Sequence, residues 1–278
     1  MMKTCRTISC LLFLLCSMPF SLYAQQDDVV PVTGRRPTAR ALLFGIGRTR
    51  QLDTYLSPMN YAGIQASFLA SGERMTHFLD SRVSFQSSFF GAFTSTDNPA
   101  NTANYLGGRL DYHVGWHYNY SPLRGLNLKG GALLGADVGF LYNSRNGNNP
   151  AQGRLSLDIS LSAGVEYRMF IRRLPLRIAY QADLPMIGMM FSPEFGESYY
   201  EISQTGVGHD IICAHPGNAF SARQLVTLDF CLPRTTLRIG YLCDARQSNA
   251  RHLKYSDVSH SFMLGFVRHF QLMKRSKS

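Results

Sequence analysis

The stretch Arg154-Leu155-Ser156-Leu157-Asp158-Ile159-Ser160-Leu161-Ser162-Ala163-Gly164-Val165-Glu166-Tyr167-Arg168-Met169 alternates without a miss. Leu155, Leu157, Ile159, Leu161, Ala163, Val165, Tyr167 and Met169 share one face. Charged and small polar residues share the other. Period two is the signature of a β-strand with unlike faces, and 16 residues is about three times the usual soluble strand. Leu106 to Tyr120 repeats the pattern, as do Leu126 to Phe140 and Val83 to Phe93. No helical stripe competes with them.

Six further segments alternate more weakly: 40–49, 61–71, 176–184, 220–232, 237–244 and 258–270. The sum is ten strands, or twelve if the long stretch Pro185 to Asn218 hides a hairpin. Short connections (72–77, 121–125, 171–174, 233–235) take turns with longer ones (50–60, 95–103, 143–153, 185–218, 245–257). An even strand count with short turns on one side and long loops on the other is the layout of an outer-membrane barrel. The expected fold is therefore all-β, a closed antiparallel transmembrane barrel over 40–270 with both termini in the periplasm.

Two soluble folds also alternate. A β-sandwich has shorter strands and no long/short order of loops. A lipocalin-like barrel turns its apolar face inward. Strand length favours the membrane, because lipid-facing alternation must last about 9–11 residues. Tyr112, Trp116, Tyr118 and Tyr120 crowd one strand end as an interfacial girdle would. The last strand closes on Phe270, similar to the terminal aromatic signal read by the barrel-assembly machinery. Outer-membrane lipid and that machinery are the expected partners.

The flanks are read separately. Lys3 and Arg6 precede an apolar run, Ile8 to Phe20, too short to span, and Ser21-Leu22-Tyr23-Ala24 offers a cleavage site. Residues 1–24 read as a signal peptide, 25–39 as a periplasmic segment and 271–278 as a basic tail. The chain would thus be exported to a Gram-negative outer membrane. Cys5, Cys10 and Cys16 leave with the signal. Cys213, Cys231 and Cys243 then remain, an odd number at irregular spacing and no disulfide framework.

Charged residues make up 17% of the chain, below the ~25% of soluble domains, and the net charge is +10. No phosphate loop or basic recognition motif accompanies that charge, so nucleic acid is not an expected partner. Only five of the 28 basic residues are Lys. Arg makes bidentate carboxylate pairs, which suits a barrel interior packed with opposite charges. The inward-facing set reads as Arg109, Asp111, His113, Lys129, Asp137, Asp158, Glu166, Arg168, Arg177 and Asp183, with Arg82, Gln86, His117, Arg154, Gln181, Arg223 and Asp229. About ten strands leave little room beyond these side chains, so the lumen is expected to be mostly plugged. A second basic group, including Arg35, Arg36, Arg40, Arg124, Arg172, Arg173 and Arg234, falls at the expected periplasmic side, facing anionic headgroups or cell-wall polymer.

Catalysis finds weak support. A rim hydrolase would draw on Asp183, His209, Asp210 and His215, and nothing fixes their mutual geometry. Gln247 to Arg251 lacks the His before Ser248 that a phospholipase couple would need. His113 and His117 stand four apart, about 13 Å along a strand, so they cannot share a metal. No catalytic residue, metal site or cofactor is expected. The long stretch 185–218, rich in Met and Tyr with Glu194, Glu197 and Glu201, would plug the lumen, extend the wall or bind a surface partner.

Leu52-Asp53-Thr54-Tyr55-Leu56-Ser57-Pro58, Phe191-Ser192-Pro193 with Tyr199-Tyr200-Glu201, and His260-Ser261-Phe262 resemble a Bacteroidetes-type family of uncharacterised exported proteins, known only as a domain of unknown function. The resemblance implies an outer-membrane barrel and brings no activity. The expected role is a non-enzymatic structural or narrow-passage barrel. The alternatives are a surface interaction protein or a rim hydrolase.

Overall fold

A computed structural model describes residues 38–270 apart from 148–149, 172–173, 195, 198–200, 202–203, 205–206 and 233–234. The expected signal peptide, basic tail and Tyr199-Tyr200 lie outside the described residues, as do Arg35, Arg36, Arg172, Arg173 and Arg234. Eleven strands follow one another: β1 (Thr38–Asp53), β2 (Ser57–Met75), β3 (Val83–Asp97), β4 (Asn104–Leu123), β5 (Leu126–Asn143), β6 (Ala151–Ile171), β7 (Leu174–Phe191), β8 (Ile211–Ala214), β9 (Ala219–Cys231), β10 (Thr236–Ala250) and β11 (Leu253–Phe270). Neighbours pair antiparallel in the order β6-β5-β4-β3-β2-β1-β11-β10-β9-β7, and β6 pairs with β7. The sheet closes on itself. Ten strands form the wall and the four-residue β8 is an addition to β7.

The facing settles membrane against soluble barrel. Ile159 and Leu161 are half exposed while Ser160 between them is fully buried. Phe44, Ile46, Ile64, Leu134, Val138 and Leu157 join the exposed belt. Gln65, Ser84, Asp111 and Ser162 are buried inside. Apolar-out and polar-in is the arrangement of a barrel whose solvent is lipid.

The long/short order of loops is corrected. β1 runs to Asp53 and β2 starts at Ser57; β10 runs to Ala250 and β11 starts at Leu253. Two of the expected long loops are tight turns. Above the apolar belt both faces of a strand are polar, so the hydrophobic period fades while backbone pairing goes on, as at Gln51↔Asp257. The loop expected over 185–218 is shorter than that, because its first part, 185–191, is wall. β7 continues to Phe191 and β8 pairs with it from Gly188↔Ala214 to Phe191↔Ile211.

One sector of the lumen is apolar. Ala41 and Leu43 of β1, Leu69 of β2, Phe90 of β3, Leu242 of β10 with Met263 and Val267 of β11 form a buried cluster. These strands carry apolar residues on both faces, which blurs their alternation. Leu56, Tyr61, Tyr105 and Leu141 form a second cluster at the loop end, its two tyrosine rings stacked 3.6 Å apart.

Candidate functional site

The remaining lumen is a ladder of ion pairs. It begins near the turn end, where Lys129 of β5 bonds both Glu73 oxygens (2.6 and 2.7 Å) and pairs with Glu166. Arg177 of β7 donates to Glu166 (Nη2 to Oε1, 2.5 Å) and to Asp229 (3.2 Å). Arg238 completes the level with two bonds to Asp229, 2.6 and 2.7 Å. Three cations meet three carboxylates. In a medium where a lone buried charge costs several kcal/mol, this reciprocity is what permits burial.

The second level is neutral apart from Asp183. Ser162 Oγ donates to Asp183 Oδ1 at 2.5 Å, and His117 Nε2 lies 2.8 Å from the same hydroxyl. Gln181 Nε2 also donates to Asp183, at 2.9 Å. Because the serine proton is spent on the carboxylate, His117 must be the donor. Its Nδ1 is buried without a partner. A nucleophilic serine needs the reverse, a histidine that accepts its proton. The three groups therefore position one another and do not form a catalytic triad.

The third level is the densest. Arg223 of β9 clamps Asp111 of β4 through two bonds, 2.9 and 2.7 Å, and shares Asp244 (2.7 Å) with Arg109 (2.6 Å). Arg246 bonds Asp111 at 3.1 Å and pairs with Asp137. Phe90 carries the Arg109 guanidinium 5.1 Å and that of Arg223 4.6 Å from its ring centre, joining this layer to the apolar sector. His113 Nδ1 lies 3.5 Å from Asp111. Its ring and Asp158 both crowd Gly135, where a Cβ would meet each at 2.8 Å, so a larger residue there would have to displace one of them. Asp158 itself accepts from Ser160 at 2.6 Å.

At the loop end Arg154 donates to Asp53 (2.9 Å) and its guanidinium stacks 3.2 Å over Tyr255. Asp257 takes Thr49 Oγ1 at 2.7 Å. The upper two levels hold Asp53, Asp111, Asp137, Asp158, Asp244 and Asp257 against Arg109, Arg154, Arg223 and Arg246, so this half of the lumen is acidic although the chain is basic.

Two expected members stand elsewhere. Arg168 is exposed, opposite Arg177 in the register, at a level where the wall ends and solvent begins. Arg82 lies in the β2–β3 turn and donates to the Tyr118 hydroxyl at 3.3 Å. Asp53, Glu73, Arg238, Asp244, Arg246 and Asp257 were not in the sequence-derived set. Most fell in stretches read as loops or turns, and inward Leu242 broke the polar parity leading to Asp244. The signal that could have found them is the unbroken alternation Asp244, Arg246, Ser248.

Of the rim candidates, His209 and Asp210 touch each other, Nδ1 to Oδ1 at 3.7 Å, and the others are engaged apart from them. Asp210 is fully buried and accepts from Arg251 at 2.9 Å, while His209 is largely exposed. His215 Nδ1 accepts the Gly217 N–H at 3.1 Å. No group of three metal-ligating side chains occurs among the described residues.

Two cavities interrupt the ladder, about 140 Å³ toward the loop end and about 100 Å³ toward the turn end. Asp183 and Arg223, opposite each other in the β7–β9 register, border both.

An apolar outer belt around an ion-paired interior defines a membrane-type β-barrel. The chain belongs to the DUF3316 family, described as proteins of unknown function, which it matches over residues 9–277. No curated protein matches it. Solved structures similar to it include the outer membrane protease OmpT from Escherichia coli, at 7% identity and TM-score 0.45, covering 85% of this chain and 97% of that one. The transport unit of the autotransporter AIDA-I from Escherichia coli follows at 8% and 0.42, covering 88% and 94%. The COG4313 outer membrane channel from Pseudomonas putida F1 stands at 11% and 0.37, covering 86% and 97%.

Proposed function

We propose that this chain is an integral outer-membrane protein, exported by its N-terminal 24 residues, that acts as a non-enzymatic barrel with a closed or very narrow passage. The observation that carries this reading is the clamp of Arg223 on Asp111, backed by Arg109, Arg246 and Phe90. These side chains cross the lumen between its two cavities. Wide aqueous channels belong to barrels of about 16–18 strands, whereas smaller ones are filled by side chains. The Ser162 bond to Asp183 and the separate engagement of Asp210 and His215 speak against a hydrolytic centre. The β1–β11 pairing, which reaches Thr38↔Phe270, gives the assembly machinery a closing seam to recognise.

The test is planar-bilayer conductance of the purified chain. A silent bilayer or rare, small openings support the proposal. Steady porin-sized conductance overturns it, as does recovery of the native chain outside the outer-membrane fraction.

A further inference from the structure

The wall has a split. Pairing of β7 with β9 stops at Asp183↔Arg223, and pairing of β7 with β8 begins at Gly188↔Ala214. Over Leu184–Ile187, β7 has no paired neighbour on this side. Residues Ala219–Ala222 of β9 meanwhile stay with β10, from Ala222↔Ala245 to Ala219↔Ser248. The chain diverges there into two lips, one of β7 with β8 and one of β9 with β10. Pro185, which has no N–H, and a register shift at Ile159/Ser160 mark the same place.

The split lies within the apolar belt. Ile187 pairs with Ile159, and Leu184 with Leu161. Met186, Ile187 and Phe220 are exposed at its edges. A bilayer does not leave unpaired backbone facing hydrocarbon, so such an opening requires an occupant. Methionine at a lip adapts to flexible apolar chains. Behind the lips lies the larger cavity, which Pro185, Met186 and Ala222 border together with Asp158 and Asp183. Those two carboxylates are the uncompensated ones. Asp158 is bonded by Ser160, and Asp183 by Ser162 and Gln181, all neutral donors. The arginines that share the cavity are each committed to other carboxylates.

We infer that the β7–β9 split is a lateral binding site for a single-chain cationic amphipath, its alkyl chain between the lips and its ammonium group facing Asp158 and Asp183. The inference rests on the membrane-barrel reading above for the meaning of the apolar belt.

The experiment titrates the full purified chain in neutral detergent micelles by calorimetry, so it reads the site independently of conductance and of cellular fractionation. The probes are dodecyltrimethylammonium, tetramethylammonium and dodecyl sulfate. The expected result is saturable binding of one dodecyltrimethylammonium per barrel, with tetramethylammonium about tenfold weaker or worse and no saturable dodecyl sulfate. The double variant Asp158→Asn/Asp183→Asn should weaken binding about tenfold, keeping each neutral hydrogen bond while removing the charge. Ala222→Trp should block the split and abolish binding while the barrel keeps its heat-modifiable migration. Equal binding of the sulfate overturns the charge assignment, and equal binding of tetramethylammonium overturns the role of the split. Unchanged binding in the double variant, or no saturable binding by the wild type, overturns the site itself.

Discussion

Arg223 and Asp111 face each other from β9 and β4, strands separated by five others around the β1 side of the wall, and meet in a two-bond clamp of 2.9 and 2.7 Å. A contact of this kind ties opposite sides of a cylinder together, where strand pairing ties only neighbours. It also makes the lumen rigid at its densest level. The other guanidinium groups on these two carboxylates, those of Arg109 and Arg246, are shared between them or with Asp137, and His113 adds a contact to Asp111 at 3.5 Å.

Removing that guanidinium should therefore cost more than the bonds themselves. Arg223→Ala is expected to destabilise the barrel by roughly 3–5 kcal/mol, because Asp111 and Asp244 remain charged and buried. Arg223→Lys should fall between, since a point charge cannot reproduce the fork. The midpoint of urea unfolding in micelles measures both.

The outward and inward faces of β6 should respond in opposite ways. Ile159→Lys is expected to cost roughly 2–4 kcal/mol near the bilayer midplane. Leu157→Ile should be tolerated, being apolar and exposed. Ser160→Leu should be costly too, because Ser160 is fully buried and its hydroxyl serves Asp158. A harmless Ile159→Lys would invert the facing and return the soluble barrel.

Arg251 presents a contest of two effects. It holds Asp210 at 2.9 Å from a two-residue turn in which Arg251 and His252 both have positive φ, 48° and 63°. Arg251→Gly relieves strain of about 1–2 kcal/mol, yet strands a fully buried carboxylate at roughly 3–5 kcal/mol. The ion pair should win. Limited proteolysis is expected to cut within 192–210 faster in the variant, with the unfolding midpoint of the wall little changed.

The cysteines test the register. Cys231 is level with Thr236 on β10, and Cys243 is seven residues further along, about 23 Å. A disulfide requires Cα atoms within about 7 Å, and Cys213, Cys231 and Cys243 all stand outside any disulfide. Mass spectrometry of the mature chain under oxidising conditions should find no Cys231–Cys243 bridge.

Strand count, facing and the charged interior were legible in β4, β5 and β6, because there one face meets lipid and the other meets ions. Two unlike solvents write an unbroken period of two into the residues. Legibility failed where that contrast fades. In β1, β2, β10 and β11 the apolar cluster of Leu43, Leu69, Leu242 and Met263 faces inward, so both faces look alike. Near Asp53 and Arg246 both faces are polar, and wall was read as loop.

The residues alone determined that this chain is a lipid-facing barrel with arginine–aspartate pairs inside, since alternation depends only on neighbours in sequence. Which arginine meets which aspartate was decided by closure. Arg223 and Asp111 are 112 positions apart, and only the register of ten strands, fixed by hydrogen bonds all the way round, brings them to one level. The parting of β7 from β9 at Asp183 is likewise a property of pairing between distant segments, with no local pattern to announce it.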